Sequence, residues 1–228
     1  MPGGEPLSDA APPPEDPEAV LAEDVHRLVD LVARNPAIQG LALVGSRADD
    51  DPTPLSDWDL EVTTDDFQAA AVGIIEAAAA LQPLAVFFDP LGTRPNLTVI
   101  LDGPVKVDLI FPDTPFEPAP AWEATDETLT KIDWHFWDWT LWLAAKRLRG
   151  LDDLVDFSLE DQFAFVLEPM GVSQQPTSIE AAMDAYEEAR EKKAAELGVE
   201  VDPTFGHQVR EAIHAAEAGT TSPAEPEL

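Results

Sequence analysis

Between Asp16 and Asn35 the apolar residues Leu21, Val25, Leu28, Val29 and Val32 recur every three to four positions, which gathers them on one helical face. Pro17 suits a first helical turn and Pro36 biases Asn35 away from helix, so the pattern predicts an amphipathic helix over this stretch. The period then changes. The short apolar run 41–44 ends at Gly45-Ser46, a polar loop follows through 49–54, and the alternating segment 56–64 reads as a second strand after a tight turn. Thr64, Asp65 and Asp66 offer a side-chain cap and an acidic first turn for a helix running to about Leu81. Residues 84–88, 96–101 and 105–111 read as three further strands, the last two joined by the turn signal Asp102-Gly103. So short a connection excludes a parallel crossover there, and the sheet is expected to be mixed or antiparallel.

Past the proline-rich step 112–121 the spacing becomes helical, with helices expected near 125–149, 158–168, 177–197 and 204–218. Gly150 and Gly198 stand where helices end, and Ser158, three residues before Asp161, reads as a capping-box variant. The expected organisation is a disordered tail over 1–16, a sheet domain over 17–115, a helical domain over 122–219 and a second disordered tail over 220–228. The fold class expected is α/β (α+β): a mixed sheet flanked by helices, followed by a helical C-terminal domain.

Composition narrows the functions. With 45 acidic residues against 13 basic ones the net charge is −32, which repels a phosphate backbone and argues against nucleic acid as a partner. The absence of cysteine removes disulfides, thiolate nucleophiles and sulfur-bound zinc, leaving oxygen or imidazole for any metal and agreeing with a cytoplasmic setting. No Lys or Arg precedes Arg27 and no apolar run follows the start, so no signal peptide is expected. The alanine-rich stretch 69–88 carries Glu76, Gln82 and Pro83 and reads as helix then strand, not as a membrane span. The even spread of acids fits a solvated surface of the kind a salt-adapted host uses; the competing reading is an acidic groove for a polycation, with Asp133, Asp138 and Glu168 as candidate acids.

The chemistry concentrates in three carboxylates. Residues two apart on a strand share a face, so Asp57 and Asp59 point together while Trp58 and Leu60 turn away. Two like charges so close are costly without a cation, and magnesium binds through a few carboxylates plus substrate phosphates. In the strand 105–111, Val105, Val107, Leu109 and Phe111 form the core face and Asp108 points away from it. If the two strands are neighbours, Asp57, Asp59 and Asp108 converge and can hold two magnesium ions about 4 Å apart. Gly45 lets a backbone approach a phosphate closely, and Ser46 adds a hydroxyl donor.

The ordered set of an apolar strand, GSRA, SDWDLEV and, about fifty residues on, KVDLIF resembles the nucleotidyltransferase superfamily, whose fold is a mixed sheet flanked by helices. With the helical segment FWDWTLWLAAKRLRG it is similar to the aminoglycoside adenylyltransferases of the streptomycin 6-type and to the lincosamide enzymes. The resemblance is specific over 41–111 and loose over 122–219. It implies a magnesium-dependent transferase that moves AMP from ATP to a hydroxyl of a small molecule, an aminoglycoside antibiotic among the acceptors. It also implies metal ligation by Asp57 and Asp59, a third acid at Asp108, and phosphate contacts from Gly45, Ser46 and Arg47. The acidic loop ADDDPTP departs from the small residue or glycine that many members carry after the G-S. A non-catalytic, antitoxin-like regulatory protein on the same fold is the alternative.

Other residues keep two readings at this level. Asp108 completes the metal site or takes the acceptor's proton. Arg47 clamps a triphosphate or pairs with the acids of 49–51. Lys106 shares a strand face with Asp108 and reaches a phosphate or, the favoured reading, forms an ordinary surface ion pair. Trp134, Trp137, Leu141 and Trp142 form a helical stripe read as a core or interdomain seam or, alternatively, as a ring-stacking substrate wall, with Trp139 outside it. His26, His135, His207 and His214 show no metal spacing and receive no catalytic role.

Overall fold

A computed structural model describes residues 17–90, 92–115 and 122–220; the two expected tails, apart from Thr220, and residues 116–121 of the proline-rich step lie outside the described residues. In chain order the elements are α1 (Pro17–Val32), β1 (Gly40–Val44), a short α2 (Gly45–Ala48), β2 (Trp58–Thr63), α3 (Phe67–Ala79), β3 (Ala85–Phe88), β4 (Asn96–Leu101), β5 (Val105–Ile110), α4 (Leu129–Leu148), α5 (Asp152–Gln162), α6 (Ile179–Leu197) and α7 (Thr204–Thr220). A single π turn, Phe163–Leu167, continues α5.

The five strands form one mixed sheet in the order β1-β2-β5-β4-β3. Only the central β2–β5 pair is parallel, with Asp59 opposite Asp108 and Leu60 opposite Leu109. The alternation read from the sequence sets the two faces. Leu60, Val62, Leu97, Val99, Val107, Leu109 and Phe111 pack against Val25, Leu28 and Val32 of α1 and Ala70, Ile74 and Ala78 of α3. Each large aliphatic in this layer stabilises the fold by about 2 kcal/mol relative to exposure. A one-residue slip of β5 would drive Asp108 into that layer and expose Leu109, so burial fixes the register.

The opposite face is split. Towards the β3 edge, Ala85, Phe87 and Ile100 join the core of the helical layer, where Phe136, Trp137 and Tyr186 are fully buried. Towards the centre the same face carries Asp59, Lys106, Asp108 and Thr98. At the β4–β5 turn, Gln208 of α7 donates to Asp102 Oδ1 at 2.7 Å and accepts from the Gly103 amide at 3.0 Å, tying the helical layer to the sheet. α7 also lies so close to α4 that a Cβ on Gly206 would overlap the Trp137 indole.

Several local expectations are corrected. Gly45-Ser46 opens the short helix α2 instead of a tight turn. The β4–β5 connection has three residues, because Leu101 pairs with Val105; Pro104, with no amide hydrogen, cannot join the ladder as a donor. Ser158 is not a cap. The helix starts at Asp152, since Gly150 with φ 71° ends α4 at once and Asp152 and Asp153 supply its acidic first turn, which leaves Ser158 buried within α5. The expected caps hold at Asp66, whose carboxylate accepts from the Ala69 amide at 3.1 Å, and at Gly198, with φ 68°.

Candidate active site

The centre of the sheet's helical-layer face opens into a cleft of about 770 Å³, a usual size for a small-molecule site. Gly45, Ser46, Asp57, Asp59 and Asp108 all line it. Oxygen atoms of Asp57, Asp59 and Asp108 lie within 4.8 Å of one another, the one such donor group among the described residues. Their convergence has a simple origin: parallel pairing sets Asp59 beside Asp108, and Asp57 stands one residue before β2, outside the strand proper. Thr98 on β4 donates to Asp108 Oδ1 at 2.7 Å, fixing that carboxylate from the other side.

Gly45 belongs to the same assembly. Its φ is 69°, and a Cβ built there would collide with Asp59 Oδ2, so glycine is required both by the backbone conformation and by the carboxylate that occupies the vacant space. Arg47 is used differently. It donates to the carbonyls of Ser56 (2.8 Å) and Asp57 (3.1 Å), and its guanidinium lies 4.3 Å over the Trp58 ring. These contacts fasten α2 to the segment that delivers Asp57, and Arg47 is not among the residues lining the cleft. The acidic loop bends over the cleft, where Asp49 and Asp51 reach its wall and Asp51 meets Arg149 at 3.0 Å.

Burial shapes the electrostatics. Desolvation, then the charges of Asp57 and Asp108, push the Asp59 carboxyl up to about 7, because three close carboxylates cannot all ionise cheaply. Lys106, expected as a surface pair, is 8% exposed. It lies 3.3 Å from Asp108 Oδ2 and 2.7 Å from Asp138 Oδ1. Burial disfavours the ammonium, but Asp108 and Asp138 outweigh it and hold the Lys106 pKa well above its ordinary value. The correction follows from α4, whose Asp138 covers the lysine that a bare strand would leave in water.

α4 supplies the far wall through His135, Asp138, Trp139, Trp142 and Lys146, and Arg149, just past its end, completes it. Burial lowers His135 to about 4, so it is neutral at pH 7; neither ring nitrogen has a hydrogen-bond partner. Its ring sits between the indoles of Trp122 and Trp139, each 5.5 Å away. Of the wall residues, His135, Trp139, Lys146 and Arg149 were missed as site residues, and a signal was present: positions 135, 138, 142, 146 and 149 share a helical face. The tryptophan stripe is divided: Trp137 is core and Trp134 stacks on Phe87, while Trp142, together with Trp139 from outside the stripe, lines the cleft. Of the other expected acids, Asp133 is fully buried among Trp137, Tyr186 and Arg190, and only Asp138 lines the cleft. Among the described residues no helix is long and apolar enough to cross a membrane.

No protein-family model matches the chain, and no curated protein matches it in sequence. Among solved structures, an aminoglycoside 6-adenyltransferase from Bacillus subtilis is similar over 86% of this chain and 98% of that chain, at 10% sequence identity and a TM-score of 0.31. A likeness so distant carries no weight on substrate or mechanism, and the reading of the cleft rests on its own geometry and on the ordered motifs that built it.

Proposed function

We propose that the protein is a magnesium-dependent nucleotidyltransferase that moves AMP from ATP to a hydroxyl of a small molecule. The observation that carries this reading is the oxygen trio of Asp57, Asp59 and Asp108 within 4.8 Å. Ligands of an octahedral magnesium ion lie about 2.0–2.1 Å from it, so neighbouring ligands are about 3 Å apart and opposite ones about 4 Å, and an inward movement of the three side chains brings them onto one ion. The donor set fits a hard cation: all oxygen, no sulfur, and an Asp59 proton held up to about 7 that an incoming cation would displace. When bound, such a cation polarises phosphoryl oxygens and offsets the charge that develops on them.

The chain's own residues do the rest. Asp57, Asp59 and Asp108 are the ligands, and Thr98 orients Asp108. Gly45 and Ser46 flank the trio and hold the phosphates by close backbone approach and a hydroxyl donor, while Arg47 keeps Asp57 in position. The acceptor oxygen bonds to the α-phosphorus, the α–β bridging bond breaks, pyrophosphate leaves, and the hydroxyl proton passes to a cleft carboxylate.

The division of labour we infer gives catalysis to a sheet domain, 17–115, and the acceptor wall to a helical domain, 122–219. Seven aspartates line the cleft against Lys106, Lys146 and Arg149, which supports a cationic acceptor such as an aminoglycoside. The test is to incubate the protein with ATP, magnesium and a panel of hydroxylated compounds that includes aminoglycosides, following pyrophosphate release and the mass of the acceptor. An acceptor heavier by one AMP is expected. Magnesium and nucleotide binding with no transfer to any acceptor would favour the antitoxin-like reading instead.

A further inference from the structure

The acidic cleft contains a cation of its own. Lys106 and Asp108 lie two apart on β5 and therefore share a face, and the lysine side chain is only 9% exposed. Its Nζ is held from two elements, 2.7 Å from Asp138 Oδ1 on α4 and 3.3 Å from Asp108 Oδ2 on its own strand. Asp108 Oδ1 meanwhile accepts from Thr98 at 2.7 Å. Both oxygens of the third acid thus have a protein partner, a hydroxyl donor at one and a full positive charge at the other. A lysine at the rim could swing aside to admit an ion; this one is enclosed by the helix packed above it.

We propose that Lys106 is a resident cation that takes the second cation position of the acidic cluster, so that the nucleotide-loaded cleft holds one divalent ion and not two, with Asp138 keeping the lysine in place. The proposal rests on the nucleotidyltransferase reading of the same cleft and departs from the two-ion arrangement expected from the motif alone. Its physical basis is like-charge exclusion. A fixed ammonium beside Asp108 repels a second divalent ion there, and with water largely excluded that repulsion is several times its value in bulk solvent. Asp57, Asp59 and Asp108 each bring one oxygen within 4.8 Å of the others, and the Lys106 ammonium already stands against the second oxygen of Asp108.

Manganese serves as the probe. The protein is loaded with α,β-methylene ATP, dialysed to equilibrium against manganese, and the bound ions per chain are counted by electron paramagnetic resonance. Wild type is expected to bind one. Two ions in the wild type would overturn the proposal and leave the nucleotidyltransferase reading standing, whereas none would overturn both. Lys106→Met is expected to raise the count to two and Lys106→Arg to leave it at one. Should Lys106→Met fail to fold because Asp138 is stranded, the double variant Lys106→Met with Asp138→Asn removes the pair as a unit and is expected to bind two. A folded variant lacking the lysine that still binds one ion would show that the lysine does not set the count.

Discussion

Asp133 and Asp108 are both buried aspartates, and the fold surrounds them in opposite ways. Around Asp133, in the helical layer, Trp137, Tyr186 and Arg190 converge on Oδ1 at 3.2, 3.1 and 3.4 Å. Asp108 also has donors, from Thr98 and Lys106, yet it shares its space with Asp57 and Asp59. The first charge faces aromatic donors and an arginine in a closed core; the second faces more negative charge in an open cleft. A buried carboxylate with partners and no like-charged neighbour is a structural post, since removing either partner strands a charge. A carboxylate crowded by others stores repulsion that a ligand can relieve, which is why perturbed groups in clefts mark sites.

The contrast is broken most directly by substituting one group on each side. Arg190→Met leaves Asp133 buried without its countercharge and is expected to cost about 3–5 kcal/mol of stability, read as a lowered denaturation midpoint, with transfer activity kept wherever the protein remains folded. Asp59→Asn should do the reverse. Repulsion in the trio falls, so the melting temperature holds or rises, while transfer drops by roughly two to three orders of magnitude, the scale expected when one electrostatic group is taken from a transition state. Near-parental turnover in Asp59→Asn would end the assignment of the trio to catalysis.

Acidity separates the two regions more finely. Burial raises Asp133 from 3.8 to about 6 and Asp59 from 3.8 to about 7. Between pH 4 and those values the folded chain binds more protons than the unfolded one, so these groups contribute stability that is full below about pH 4 and is lost as pH rises through about 6 and 7. Melting without divalent ions should therefore occur at a higher temperature at pH 5 than at pH 8. Magnesium should recover the share due to Asp59 at pH 8 but not that due to Asp133, and should do little at pH 4, where the trio is protonated. An equal magnesium effect at both pH values would dissociate the ion from these carboxylates.

Gly45→Ala sharpens the cleft side alone. A side chain at φ 69° costs about 1–2 kcal/mol, and its Cβ displaces Asp59, so manganese affinity and melting temperature should fall together. Unchanged manganese affinity would remove Gly45 from the assembly. The smallest effect expected is for Ser46→Ala, about 1 kcal/mol in the affinity for a non-hydrolysable ATP analogue by calorimetry, with no change in folding stability; equal affinity would take the hydroxyl off the phosphates.

How much of this was legible depends on the range of the physics involved. The helix at α1, the alternation of β2 and β5, the cap at Asp66 and the terminator at Gly198 follow from backbone geometry acting over a few residues, and the chain writes them openly. The same local rule, that Asp108 lies on the face opposite Val107 and Leu109, already set the third acid apart as chemistry. Adjacency is different. That β5 lies parallel to β2, bringing Asp108 beside Asp59, that α4 roofs the cleft and buries Lys106 against Asp138, and that Asp133 sinks among Trp137, Tyr186 and Arg190 are outcomes of packing between segments far apart in sequence. Periodicity fixes which face of an element is apolar but carries no record of which partner covers the polar one. For this chain the sequence alone determined the elements, their faces and the carboxylates to examine; only the tertiary structure decided which charges stand together and which are satisfied, because the energy of a charge depends on what is packed around it.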